Sequence, residues 1–444
     1  MNFFLKKQAS FKFWSEICIY ITLKHISFMA RLFKCSTLYI ISLLFCSSIW
    51  AQNTIKFTLP NEESPEVARI FRDLIGEFNT TYPNAITLDV QDSWDKGLQS
   101  FINNVRKNSS AGILLAKNAE TLDLQSSGLV FNAETIMSSE AAFFDRFIPR
   151  YLANANVANK PYCAVPVYCT VPVVYYNMDK ITPAVCNDRN FSSENLPRTY
   201  QELETLLLTL RGRSDRAPML IGGDWYEWVF ESMVLQNGGS LGNANYTVKF
   251  DSPEALATLK YWQKLWESEL IDTAGSWKST INHFKYQNYP IAIYSSGAVE
   301  ELQQDAKFTW AAAAMPNSKT KVVSYSGANL FFSSNMTVAQ QQTAVRFTAF
   351  LYKKDISAQI AMATGLIAVT SERMGAAGIG SSSGNRSALQ QIQTAKPGFM
   401  THQYDKMRKI LKEAISRVFN GTLTAEQSLA RAQKEAIYVL NPEP

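Results

Sequence analysis

The chain has 444 residues, too many for one compact core and enough for two lobes. Hydrophobic residues at 46% and charged residues at 18% exclude a disordered chain. The formal charge of +5 comes from the start: Lys6, Lys7, Lys12, Lys24, Arg31 and Lys34 stand against Glu16, so residues 52–444 carry 37 basic and 37 acidic side chains. That neutral remainder has no basic run to hold nucleic acid or an anionic membrane surface.

Arg31 and Lys34 precede a mostly apolar run, Leu38–Ile49, of the length of a signal-peptide core. Ser47, Ser48 and Ala51 supply small residues, and cleavage is expected after Ala51 to leave Gln52. The leader is expected over about 29–51, with Met29 as its start and 1–28 as a mis-called extension. Cys46 offers a lipoprotein alternative, but bulky Phe45 precedes it. Cys163, Cys169 and Cys186 remain after cleavage, which allows one disulfide. With only His283 and His402 left, and no CxxC, no metal or other cofactor is expected.

Ile55–Leu59 alternates like a strand, and Pro65 opens a helix with Val67, Ile70, Phe71, Leu74, Ile75 and Phe78 on one face. Ile86–Val90 is a second strand, Leu98, Ile102 and Val105 mark a helix, and Ile113–Ala116 is a buried strand. The alternation predicts an α/β fold with a parallel or mixed sheet. Cys163–Tyr176 is apolar, but Pro166 and Pro172 argue for a strand-like crossover rather than a central strand. Thr199 and Glu202 form a capping box before Leu203, Leu206, Leu207 and Leu210. Met219–Gly222 and Pro290–Tyr294 read as strands. Between them lie a helix with Trp225, Trp228, Val229 and Met233 and another with Leu256, Leu259, Trp262, Leu265 and Trp266. Leu330–Phe332 is a strand, 337–353, 355–363 and 403–419 are helical, and Gly375–Gly384 is a loop. The aromatic share of 12%, with 19 Tyr and nine Trp, exceeds what two cores need and suits a ligand-stacking surface.

Several strings occur together and in order: Phe78-Asn79 through Tyr82-Pro83, Pro166 through Val171-Pro172 to Asn177-Met178-Asp179, and Pro197-Arg198-Thr199-Tyr200-Gln201-Glu202-Leu203. Trp225-x-x-Trp228, Ser295-Ser296-Gly297, Gly327-Ala328-Asn329-Leu330 and Thr364-Gly365 follow. Together they resemble the family 1 extracellular solute-binding proteins of ABC importers, along nearly all of 52–444. The resemblance implies a two-lobed periplasmic-binding-protein fold with interlobe crossovers near 163–173 and 317–330 and a ligand cleft. Lobe one would hold 52–165 and about 317–375, and lobe two about 166–316 and 376–444. It also implies a monomer in the periplasm that captures a small polar solute, a polyol, sugar or glycerol-phosphate-like molecule, for an inner-membrane ABC permease.

Carried onto this sequence, the family's ligand contacts fall on Trp94, placed on a loop after the second strand, and on Asn118, Cys169, Thr170, Trp225, Ser295, Ser296 and Gly327. Trp94 and Trp225 would cover C–H faces of the solute while the hydroxyls hold its oxygens. Trp228 is assigned to packing or rim. Asn118 stands where the family branch has a carboxylate, Leu366 where it has a tyrosine and Met400 where it has a phosphate-binding arginine, with Lys396 and His402 near enough to substitute. Cys163 is paired with Cys186 in preference, leaving Cys169 free.

Two rival readings use the same residues: a binding module reporting to a membrane sensor, and an exported hydrolase. Against the second, the mature chain has two histidines and no Gly-x-Ser-x-Gly elbow. Glu300 and Glu301 are adjacent on a helix and do not face each other.

Overall fold

The computed structural model describes residues 54–441 apart from 61–64, 158–159, 161, 183–191, 193–194 and 371–382. The expected leader and Cys186 lie outside these residues. Cys163 and Cys169, the two described thiols, are both buried and free.

Strands β1 (Ile55–Pro60), β2 (Ile86–Gln91) and β3 (Gly112–Lys117) form a parallel unit, linked by helices Pro65–Thr81 and Trp94–Arg106. The first helix buries the six apolar residues its periodicity predicts. Its end is tied down by Asn79, whose amide donates to the Ile86 carbonyl at 2.8 Å and accepts from the Ile86 N–H at 3.0 Å. The side chain thus acts as a strand partner for the first residue of β2. Trp94 is the first residue of its helix rather than a loop residue, because Ser93 caps that helix by accepting from the Lys96 N–H.

The long strand β11 (Ser324–Ser333) pairs antiparallel with β3 on one side and with β5 (Val165–Thr170) on the other. β12 (Ile367–Ala368) lies at the edge, and β4 (Val130–Phe131) and β13 (Lys396–Pro397) add short pairs to β11. The second sheet has the order β10 (Trp310–Ala314), β6 (Pro172–Asn177), β9 (Ile291–Ser295), β7 (Met219–Ile221), β8 (Ile271–Thr273). Helices cover both sheets, giving the two-lobed α/β architecture.

The run 163–176 is therefore two buried strands in different sheets, and the change of sheet falls at Val171 rather than at 165/166. Both prolines are accommodated. Pro172 opens β6, and Pro166 pairs with Asn329 beside a register shift between Ala328 and Asn329, where a ladder donor is dispensable. A second passage runs over 315–323, from β10 to β11. Lys396–Pro397, expected in lobe two, pairs with β11 of the first sheet. Ser383 already opens a helix, Ser383–Ile392, where a loop was expected; residues 375–382 of that loop lie outside the described residues. The helices Trp277–Lys285 and Ala425–Leu440 had not been anticipated.

Candidate functional site

The carboxyl ends of strands in both sheets converge on one cavity of about 180 Å³. After β2 comes Trp94, at the end of β3 Lys117, and at the end of β5 Thr170. The second sheet contributes Asp224, Trp225 and Trp228 after β7, Ser276 and Lys278 after β8, and Ser295 at the end of β9. Ser326 and Gly327 complete the lining from the start of β11, which runs antiparallel and so begins at the same end. Open α/β sheets bind ligands outside the carboxyl ends of their strands, where backbone donors and helix starts gather.

Where the two sheets meet, three hydroxyls form a cluster. The Thr170 hydroxyl lies 2.5 Å from that of Ser295 and 3.1 Å from that of Ser296. Ser295 also accepts from the Gly297 N–H at 3.0 Å, and its carbonyl accepts from the Tyr175 hydroxyl at 2.8 Å. Thr170 and Ser295 line the cavity, whereas Ser296 is fully buried and supports Thr170 from behind. Cys169 likewise does not line it. Successive side chains of a strand point to opposite faces, so a cavity-facing Thr170 sends the Cys169 thiol into the core, where burial pushes its pKa well above the ordinary thiol value. Of the residues expected to contact ligand, Ser296 and Cys169 therefore do not line this cavity: one lies behind Thr170 and the other in the core.

Gly327 lines the cavity, but its lack of a side chain answers a strand contact. A Cβ there would lie 2.2 Å from the Tyr168 carbonyl oxygen of β5. Asn118 lines a second, smaller cavity of about 20 Å³ with Asn154, Met400, Tyr404 and Glu231, separated from the first by Trp225, Trp228 and Ser326, which line both. Leu366 packs on Gly297, with its Cδ2 2.8 Å from where a Cβ would be. Lys396 and His402 line neither cavity.

The charged lining was missed. Lys117 is buried, with its ammonium 4.7 Å from the centre of the Trp225 ring, 3.5 Å from Asp95 and 3.8 Å from Asp405. The Arg408 guanidinium lies 4.1 Å from the same ring and is bonded to Glu227 at 2.7 Å. Trp225 is therefore a ring held by cations as well as a wall. Lys278 is paired with Glu301 at 2.8 Å, and Asp224 with Lys412. Glu120, just below β3, is pushed up to about 8, first by burial and then by the charge of Asp405. A signal existed in the sequence for part of this lining. A Ser-Trp pair, Ser93-Trp94 and Ser276-Trp277, opens a helix shortly after a strand in each half, and both serines are N-caps.

Two sheets whose carboxyl ends face one polar and aromatic cavity define a protein of the periplasmic-binding class. Residues 74–374 match the family model described as bacterial extracellular solute-binding protein, and the chain belongs to that family. It is 22% identical over 418 residues to the sn-glycerol-3-phosphate-binding periplasmic protein UgpB of Salmonella typhimurium, spanning 88% of this chain and 93% of the relative. Its fold is similar to the crystal structure of UgpB from Mycobacterium tuberculosis in complex with glycerophosphocholine, with a TM-score of 0.75 at 17% identity over 87% of this chain and 98% of that one. It is also similar to the cyclic alpha-maltosyl-1,6-maltose binding protein of Arthrobacter globiformis, with a TM-score of 0.72 at 17% identity over 87% and 99% of the two chains.

Proposed function

We propose that the chain is the substrate-binding component of an ABC importer, holding a small polyol, sugar or glycerol-phosphate-like solute between its lobes for delivery to an inner-membrane permease. The observation that carries this reading is the cavity itself: indole rings from both halves, Trp94, Trp225 and Trp228, face short hydroxyl side chains from both sheets, Thr170, Ser276, Ser295 and Ser326. Rings cover the C–H faces of such a solute while hydroxyls and backbone donors hold its oxygens. A volume of about 180 Å³ lies below the usual range for drug-sized ligands, which favours a solute of glycerol-phosphate or monosaccharide size over an oligosaccharide. The protein acts as a monomer and catalyses no reaction in this reading.

In a thermal-shift screen of polyols, sugars and their phosphates, a bound solute at a hundred times its Kd adds about 2.7 kcal/mol of stability. A screen without any shift speaks against solute capture, and turnover of a phosphoester or glycoside would replace it with hydrolysis. Trp225→Ala is expected to weaken solute binding by about 1–3 kcal/mol, the usual worth of an anchoring aromatic, in titration calorimetry. Because Trp225 is only partly buried, the melting temperature without ligand stays close to that of the unmodified protein. A collapsed fold with unchanged residual affinity would assign the ring to the core.

Export follows from the same reading. The mature chain begins at Gln52, after cleavage at Ala51, and is free in the periplasm. N-terminal sequencing of the exported protein checks this, and a lipid-modified Cys46 would contradict it.

A further inference from the structure

We propose that Lys117 is the residue by which the cleft selects solutes carrying an anionic oxygen group, a phosphate or carboxylate, over neutral polyols and sugars. This inference rests on the solute-binding reading above and assigns its charge specificity.

Lys117 ends β3, a strand buried along its whole length, and its side chain is about nine-tenths buried. A buried ammonium needs acceptors for three donors, since an unsatisfied buried charge is costly. Its carboxylate neighbours stand at 3.5 and 3.8 Å, beyond the ordinary 2.7–3.2 Å reach of a hydrogen bond. At those distances they attract the ammonium without using its donors. Its third neighbour is the Trp225 ring, which offers a face and no oxygen.

The remaining charges of the lining are already matched. Lys278 gives two short hydrogen bonds to Glu301, at 2.8 and 2.9 Å, and Asp224 is held by Lys412. Of the two lysines among the described residues that line the cavity, Lys278 is hydrogen-bonded to a carboxylate, whereas Lys117 meets its carboxylates only beyond hydrogen-bond distance and keeps its donors for a ligand. Glu120 is pushed toward its neutral form by burial, so it adds little negative charge beside Lys117. An anionic oxygen in the cavity would complete charge-assisted hydrogen bonds to the ammonium, which a neutral hydroxyl completes more weakly. Lys117 comes from the first sheet, whereas Trp225 belongs to the segment after β7 of the second, so such a solute would be gripped from both sides of the cleft.

The test is titration calorimetry of the full chain with sn-glycerol 3-phosphate, glycerol and maltose, for the unmodified protein and Lys117→Gln. The unmodified protein is expected to prefer the phosphate, and Lys117→Gln to lose phosphate affinity on the order of ten- to a hundredfold with no matching loss for the neutral solutes. Lys117→Arg keeps the charge and retains the preference. Lys117→Met, which preserves the aliphatic stem, replaces the Gln variant if that one melts below the assay temperature. Equal losses for charged and neutral solutes, or no loss for the phosphate, overturn the assignment. An unmodified protein that binds neutral solutes and no anionic one overturns it too, while leaving solute capture standing. Binding of none of the three, together with a blank thermal-shift screen, sinks both.

Discussion

Replacing Trp262 with alanine is expected to destabilise the protein by about 3–5 kcal/mol, the largest single-residue effect anticipated. Trp262 is 1% exposed and lies at the centre of the helical layer beside the second sheet. Its ring is edge-on to Phe230 at 5.5 Å and Tyr226 at 6.4 Å, and it stacks on Phe419 at 6.2 Å. Its indole N–H donates to the Met233 sulfur at 2.9 Å. Three helices, Tyr226–Gln236, Pro253–Glu267 and Tyr404–Phe419, thus meet on one side chain, and no one of them can move in to fill the space without separating from the others. Urea denaturation monitored by circular dichroism measures the loss. A midpoint within error of the unmodified protein would show that the layer collapses onto the vacancy. Solute affinity below the transition should be nearly unchanged, because Trp262 does not line the cavity.

The second expected result is a pH dependence that Glu231→Gln removes. Glu231 is buried on the helix Tyr226–Gln236 and accepts from the Phe399 N–H at 2.6 Å and the Ser324 hydroxyl at 3.0 Å. It therefore ties together the start of β11 and the segment that follows β13, the two chain passages on either side of it. Neighbouring titratable groups are Glu227 one turn back, and Tyr404 and Arg408 on the helix Tyr404–Phe419. Burial is the main cause that pushes its carboxyl up from 4.5 to about 7. Between these values the folded protein holds a proton that the unfolded chain has released. Stability from this group is therefore fully present below about pH 4.5 and is lost as the pH rises through 7, amounting to about 3 kcal/mol. Glu120 acts in the same direction up to about pH 8. Denaturation of both proteins at pH 5 and pH 8 should show the difference in stability moving in favour of Glu231→Gln by about that amount. The glutamine oxygen can still accept from Phe399, and its amide can donate to Ser324. A difference that stays constant between the two pH values would show that the carboxyl titrates normally.

Much of this was legible in the residues. Hydrophobic periodicity placed the helix Pro65–Thr81, because one buried face every 3.6 residues is a local property. The capping box of Thr199 and Glu202 was readable for the same reason: both partners lie within one turn. The ordered strings, Phe78-Asn79 to Tyr82-Pro83 among them, gave the family, and the structure supplies a reason for one of them in the Asn79 amide that starts β2.

The site was legible in part. Trp94, Thr170, Trp225, Ser295 and Gly327 line one cavity, yet Cys169 and Ser296, next to two of them in sequence, do not. Which of two adjacent residues faces a cleft depends on the pleat of β5 and on the turn after β9, and pairing across the sheets sets both. Lys117 was hidden for a similar reason: a lysine closing a short strand looks like a solvated end until Trp225, from the other sheet's loop, is placed beside it. Sequence alone determined the α/β class and the order of most elements, which rest on short-range patterning, while the ordered strings along the chain carried the resemblance to the family. The tertiary structure alone decided the change of sheet at Val171, the partners of each charge and the facing of each strand-end residue. Those features depend on contacts between segments distant in sequence, from 23 residues for Lys278 with Glu301 to more than a hundred for Thr170 with Ser295 or Glu231 with Phe399, which no local pattern encodes.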